Sequence, residues 1–296
     1  MPVSTARPTD LPRAVFWMMG ALASFTAMAL AARELTVEMS AFQALFFRSV
    51  ICVAVLLPIA ARSRFQSVRT ARFRLHLARN AVHFAGQVGW VYGISVLPLA
   101  AVFSIEFTVP IWTAILAALF LGEPFTRWRA IAIAMGFAGI LIIVRPGSSM
   151  VDAGAFAVLG AAVCYAATFV FTRHMATTES PLSIIFWMNL VQLSLGLVPS
   201  AALWVTPSSD TYPWIVVIGI AGLASHWCVA HAMRHADAAV VAPMDFIRLP
   251  VIAVVGFVIY AEPWNPFVLI GGLLIFSGNM VNLLGERRRA SREIAR

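Results

Sequence analysis

The feature that most limits how this chain can fold is a series of apolar runs that recurs from residue 14 to residue 285 with short polar breaks. The runs lie at 14–32, 41–60, 76–97, 98–121, 127–144, 153–173, 181–204, 213–233, 236–261 and 265–285. About 20 apolar residues in a helix cover the ~30 Å hydrocarbon core of a bilayer, where an isolated segment can satisfy its own backbone groups only as a helix. The expectation is an all-α membrane protein of ten transmembrane helices. Composition agrees: 61% of the 296 residues are hydrophobic and 11% are charged, whereas a soluble domain carries about 25% charged residues. The first run has no small-residue cleavage site and reads as a retained helix.

Charge orients these spans. Every basic residue is Arg, and the formal net charge is +8. With a cytoplasmic N-terminus, the inner segments hold 17 arginines and the outer loops hold two, Arg33 and Arg145; Arg48 and Arg248 fall inside spans. That asymmetry persists to the C-terminus and follows the positive-inside rule. It predicts a multi-pass protein of the cell (inner) membrane with both termini cytoplasmic. The basic loop RSRFQSVRTARFR (62–74) is explained by anionic lipid headgroups, so lipid is an expected partner and nucleic acid is not. Cys52, Cys164 and Cys228 are isolated in apolar stretches and carry no metal-type spacing. No metal and no cofactor are expected.

The chain also repeats itself. Glu106 and Asp245 are 139 residues apart, as are Glu123 and Glu262. Ala101-Val102 answers Ala239-Val240 at an offset of 138, and Pro58 answers Pro199 at 141. A five-helix unit present twice must enter the membrane from opposite sides, which gives an inverted-topology repeat with a central cavity between the halves. The expected organisation is a cytoplasmic tail 1–13, a first repeat 14–147, a second repeat 148–285 and a basic cytoplasmic tail 286–296.

The block LPLAAVFSIEFTVPIWTAILAALFLGEP (97–124), the helix GFAGILIIVRPG (136–147) and the copy ADAAVVAPMDFIRLPVIAVVGFVIYAEP (236–263) resemble the drug/metabolite transporter superfamily, in the form built from two EamA units. The resemblance covers about residues 14–285. It implies a secondary active or facilitative transporter that moves a small organic metabolite, amino-acid-like or vitamin- or nucleoside-like, by alternating access. The stretch RNAVHFAGQVGWVYGISVLPLAAV (79–102) is similar to members that import S-adenosylmethionine or riboflavin. The resemblance also implies that the fifth and tenth helices can form a dimer seam. The protein is thus expected as a monomer or homodimer, and Ala132, Gly136 and Gly139 supply small residues on the fifth helix.

Four charges lie deep within the spans: Arg48, Glu106, Asp245 and Arg248. Each costs about 3 kcal/mol or more in hydrocarbon. Their sum is zero, so each acid is expected to meet an arginine, Glu106 with Arg48 and Asp245 with Arg248. They either line a polar cavity and contact solute or a coupling proton, or only lock helices together. Asn80, His83, Gln87 and Trp90 share one face of the third helix. Tyr165 on the sixth helix, Asn189 (the counterpart of Arg48) on the seventh, and His226 and Trp227 on the eighth complete the candidate substrate-binding set. Pro110 and Pro250 follow the acids and should kink their helices as hinges. Glu123-Pro124 and Glu262-Pro263 read as helix stops, with Thr126 capping the next helix.

Other classes lack support in the sequence. There is no HExxH, nucleophile or paired-Asp motif for an intramembrane enzyme, no nucleotide-binding motif, and no soluble signalling domain for a sensor. The chain is not expected to be an enzyme.

Overall fold

The computed structural model describes residues 10–122, 126–145, 153–175, 178–236 and 238–294. Arg7, the Glu123-Pro124 turn and the junction between the two repeats lie outside the described residues. Among the described residues the chain forms twelve α-helices and no strand. They are α1 (Leu11–Glu38), α2 (Ala41–Arg62), α3 (Phe73–Val96), α4 (Leu99–Glu106), α5 (Val109–Leu121), α6 (Arg127–Val144), α7 (Ala153–Met175), α8 (Pro181–Ala202), α9 (Tyr212–His235), α10 (Ala238–Asp245), α11 (Arg248–Tyr260) and α12 (Pro266–Ile294). The pairs α4/α5 and α10/α11 each make one crossing, so the helices supply ten crossings.

Nine of these crossings are long and apolar enough for a bilayer by length and composition. The tenth, α3, is 24 residues long, which gives about 36 Å at the helical rise. Its polar stripe, together with Arg74, His76 and Arg79, lowers its hydropathy. Starts are set by short polar side chains: Ser40, Thr126 and Ser180 accept the backbone N–H of Gln43, Arg129 and Ser183, respectively. The last helix runs on through Ile294, where the sequence suggested a separate tail. GERRRASREI contains no breaker, and arginines near a helix C-terminus complement its dipole.

The packing shows the inverted repeat directly. α1 packs along α9, and its repeat mate α7 packs along α3, the mate of α9. α6 packs on its own mate α12, and α2 on its own mate α8. In a two-fold relationship residue i contacts j and j contacts i. Gly139 approaches the carbonyl of Gly271, and the mirror contact sets Gly278 against the carbonyl of Ala132. The small residues of the fifth crossing are thus used within the chain, where they let two backbones come close. Large apolar side chains such as Phe16, Leu119, Phe120 and Val198 cover the outside of the bundle, while Phe103, Ile105, Leu45 and Ile252 are buried at its centre.

Each interrupted crossing breaks immediately after its acid. α4 ends at Glu106 and α10 ends at Asp245. Proline removes the bond to the carbonyl four residues back and disfavours the helical region for the residue before it. Pro110 and Pro250 therefore open the helix on their N-terminal sides, at Phe107-Thr108 and Phe246-Ile247. At the first break, Asn279 Nδ2 from α12 donates to the Phe107 carbonyl at 2.9 Å, and Thr108 Oγ1 donates to the Ile105 carbonyl at 2.7 Å. Phe107 and Phe246 are equivalent positions in the two repeats, and their rings stack at 4.4 Å. The two breaks meet at the pseudo-two-fold axis.

At the membrane face opposite the N-terminus of α1, a polar clasp ties three helix ends. Arg33 Nη1 donates to Glu262 Oε1 at 2.6 Å, and the Leu99 amide donates to both Glu262 oxygens at 3.1 and 2.9 Å. Tyr260 Oη donates to Glu34 Oε1 at 2.6 Å. Burial pushes the Glu262 carboxyl above the usual range, and Arg33 and the Leu99 amide pull it back. The clasp also holds Ala261 in the left-handed region at φ 52°, which L residues adopt at a cost of about 1–2 kcal/mol. Glu262 is therefore an interhelical tie as well as a helix stop.

The α6–α12 seam gives a stability test. A Cβ at Gly271 would meet the Gly139 carbonyl at 2.6 Å. Gly271→Val should destabilise by about 1–3 kcal/mol, the usual cost of overpacking. The measurement is the thermal unfolding midpoint in detergent, with Gly160→Ala, which points into open space, as a control expected to leave the midpoint unchanged or slightly raised.

Candidate functional site

The polar side chains of the spans converge on the middle of the bundle, and α3 organises them. Gln87 and Trp90 lie three residues apart on one α3 face, about 4.5 Å along its axis. Each holds one charge. Gln87 Oε1 accepts from Arg48 Nη2 of α2 at 3.0 Å. Trp90 Nε1 donates to Glu106 Oε2 of α4 at 2.7 Å. The helix thus sets a guanidinium and a carboxylate one turn apart.

The carboxylate end is shared between the repeats. Arg248 Nη2 lies 2.9 Å from Asp245 Oδ2 on its own crossing and 3.5 Å from Glu106 Oε1 on the other. Three phenyl rings surround that guanidinium: its Cζ is 4.4 Å from the Phe25 centroid and 5.1 Å from those of Phe103 and Phe107. Stacked cations of this kind gain about 0.5–2 kcal/mol per ring. The side chains of Glu106 and Asp245 keep 16% and 33% of their surface open, so both acids retain access to a ligand.

The guanidinium end is different. Arg48 is 6% exposed, and its Nη2 donates to Gln192 Oε1 of α8 at 2.6 Å as well as to Gln87. Gln192 Nε2 in turn lies 2.8 Å from His83 Nδ1, whose ring packs on Tyr165 at 5.5 Å. Neutral amides take the place of the expected Glu106 partner. The reason is geometric: Gln87 and Gln192 both accept from Arg48 Nη2, while Arg248, at the first residue after the second break, faces Glu106. Among the described residues Arg48 has no carboxylate partner.

The remaining candidates divide. His226 is exposed, yet it lies in the field of Arg48, Arg79 and His83 and packs on Phe25 at 6.3 Å. Trp227, one residue on, is 62% exposed and stacks on His231 at 4.5 Å, outside this cluster. Asn189 donates to the Ile185 carbonyl of its own helix and does not join the Arg48 network. Asn80 is buried and accepts from Arg79 Nη1 at 2.6 Å. Pro110 and Pro250 lie in the first turns of α5 and α11, each just past its break. Gln192 and the rings of Phe25, Phe103 and Phe107 belong to the cluster without having been singled out. A second amide three residues after Asn189 on the same span was the available signal for Gln192; an all-carbon ring in an apolar run gives none. Among the described residues, no group of His, Cys, Asp or Glu side chains could hold a metal ion.

The chain is similar to known proteins. Residues 12–145 and 152–284 each match the EamA-like transporter family. A protein named S-adenosylmethionine uptake transporter from Rickettsia bellii is 25% identical over 94% of this chain and 96% of its own. A riboflavin transporter from Brucella anthropi is 29% identical over 79% of this chain and 85% of its own. A pseudopaline exporter from Pseudomonas aeruginosa is 25% identical over 87% of this chain and 92% of its own. A solved crystal structure superposes with a TM-score of 0.64 over 93% of this chain and 98% of its own at 18% identity, which speaks to the fold alone. With both five-helix units matched, the chain belongs to the EamA-like transporter family.

Proposed function

We propose that this protein carries a zwitterionic metabolite with an amino-acid carboxylate across the cytoplasmic membrane by alternating access, with S-adenosylmethionine the first candidate. The observation that carries this reading is Arg48. A buried guanidinium whose bonding partners are neutral amides has unspent electrostatic capacity, and a solute carboxylate supplies the missing anion. One helical turn away, Glu106 and Asp245 share a single arginine and keep one net negative charge, which suits the cationic end of the same solute. Arg48, Arg248, Glu106 and Asp245 sum to zero, and S-adenosylmethionine, a net monocation with one carboxylate, one ammonium and one sulfonium, offers an anion to Arg48 and a cation to the acid pair.

The similarity to S-adenosylmethionine uptake transporters over nearly the whole chain supports this choice. Riboflavin has no carboxylate and would leave Arg48 uncompensated. The partly open ring of Phe25 offers an aromatic surface to the flat ring system of either solute. Further support comes from the arginine asymmetry, which favours an inner-membrane orientation with both termini cytoplasmic. The breaks at Phe107-Thr108 and Phe246-Ile247 are the flexure points about which the halves would rock. The odd negative charge on the acid pair also suits a coupling proton, since a buried carboxylate can bind a proton near neutral pH.

Two outcomes follow. Arg48→Gln should lower uptake of labelled S-adenosylmethionine into proteoliposomes by about tenfold or more at low solute, the loss of a charge-assisted hydrogen bond, while Arg48→Lys keeps part of it. Wild-type protein that moves riboflavin but not S-adenosylmethionine, or an Arg48→Gln variant with undiminished uptake, would reject the assignment. Glu106→Gln should abolish the response of transport to an imposed pH gradient. An unchanged pH response in that variant would rule out coupling through this acid.

A further inference from the structure

A second guanidinium repeats the situation of Arg48 nearer the face that holds the N-terminus of α3. Arg79 lies eight residues before Gln87 on α3, about 12 Å along the axis. It is 6% exposed. Its Nε donates to Thr172 Oγ1 of α7 at 2.8 Å, and its Nη1 donates to Asn80 Oδ1 at 2.6 Å. Both partners are neutral, and no carboxylate among the described residues pairs with it. The acid on the α7–α8 loop, Glu179, is already engaged: Thr70 Oγ1 donates to it at 2.6 Å, Ser183 Oγ at 3.1 Å, and His76 Nε2 lies 3.4 Å away. Burial alone would raise that carboxyl, but these hydrogen bonds carry it below the usual range, so it stays an anion committed to that end of the bundle.

Two further observations point to a ligand. Asn80 is 0% exposed, and its Nδ2 donor has no partner. An orphaned buried donor beside an uncompensated cation is costly to leave unmade. Between Arg79 and Gln87 on α3 lies His83, and Gln192 bridges its Nδ1 to Arg48. The two guanidinium groups thus bracket one polar stretch.

We propose that Arg79, Asn80 and Thr172 form a second anion subsite, where the carboxylate of a solute entering from the α3 N-terminal side is held before it passes to Arg48. Arg79 supplies the charge, the free Nδ2 of Asn80 supplies a hydrogen bond, and Thr172 fixes the guanidinium. This subsite rests on the reading that the solute bears a carboxylate. Its test uses no solute, so the two can fail separately.

The test is the charge preference of a cysteine at the subsite. In full-length protein with Cys52, Cys164 and Cys228 replaced by alanine, Thr172→Cys is labelled in phosphatidylcholine vesicles with anionic methanethiosulfonate ethylsulfonate or its cationic trimethylammonium analogue. Asn80→Cys serves as an independent second position if Thr172→Cys folds poorly. The anionic reagent should react about tenfold faster than the cationic one, since a focused field concentrates counter-ions. Adding Arg79→Gln should erase the preference, while Arg79→Lys or Arg48→Gln should leave it. A cysteine inert to both reagents would mark a sealed helix pin and overturn the proposal. Equal rates with Arg79 present, or a preference that survives Arg79→Gln, would overturn it as well.

Discussion

One guanidinium shared by two carboxylates holds the centre of this protein together. Arg248 reaches Asp245 on its own crossing and Glu106 on the other, and so spans the seam between the inverted repeats. In a bilayer each of these charges alone would be expensive. Together they are bearable because the rings of Phe25, Phe103 and Phe107 cover the cation and the indole of Trp90 donates to one of the acids. Two acids on one arginine are still one cation short. In the proposed function that deficit is what a solute cation or a proton would fill.

The positions of these groups follow from the repeat. Inversion brings the two proline breaks to one axis, where Phe107 stacks on Phe246, and so sets the two acids on either side of that contact. The same symmetry builds the α6–α12 seam from Gly139, Gly271, Gly278 and Ala132. It does not extend to every functional side chain. Arg48 has Asn189 as its counterpart, and Asn189 bonds within its own helix. The buried charges are therefore asymmetric on a symmetric frame, with Arg48 at one end of the cluster and the Glu106–Asp245 pair at the other.

Much of the frame was legible in the sequence because hydrophobic length, arginine placement and a 139-residue offset are properties of the chain itself. The same patterns gave the ten crossings, the bends expected in the fourth and ninth spans and the pairing of Asp245 with Arg248. Partner choice was less accessible. Depth alone brought Arg48 level with Glu106, but which of several polar groups at one depth meets which depends on helix rotation. Rotation placed Gln192 beside Arg48 and turned Trp227 outward. Glu262 looked like a helix stop because its clasp partners, Arg33 and the Leu99 amide, are more than 160 residues away. The breaks fell before the prolines, not at them, since the bond that proline deletes is the one to the preceding turn.

The central claim is that Arg48 awaits a solute carboxylate. Competition against labelled S-adenosylmethionine uptake by its decarboxylated analogue tests it most directly, because the change is made on the solute and not on the protein. The account predicts that the analogue inhibits wild-type protein about tenfold more weakly than S-adenosylmethionine, the loss of one charge-assisted contact. It further predicts that Arg48→Gln no longer distinguishes the two. Equal inhibition of wild-type protein by both compounds, or discrimination that persists in Arg48→Gln, would contradict it.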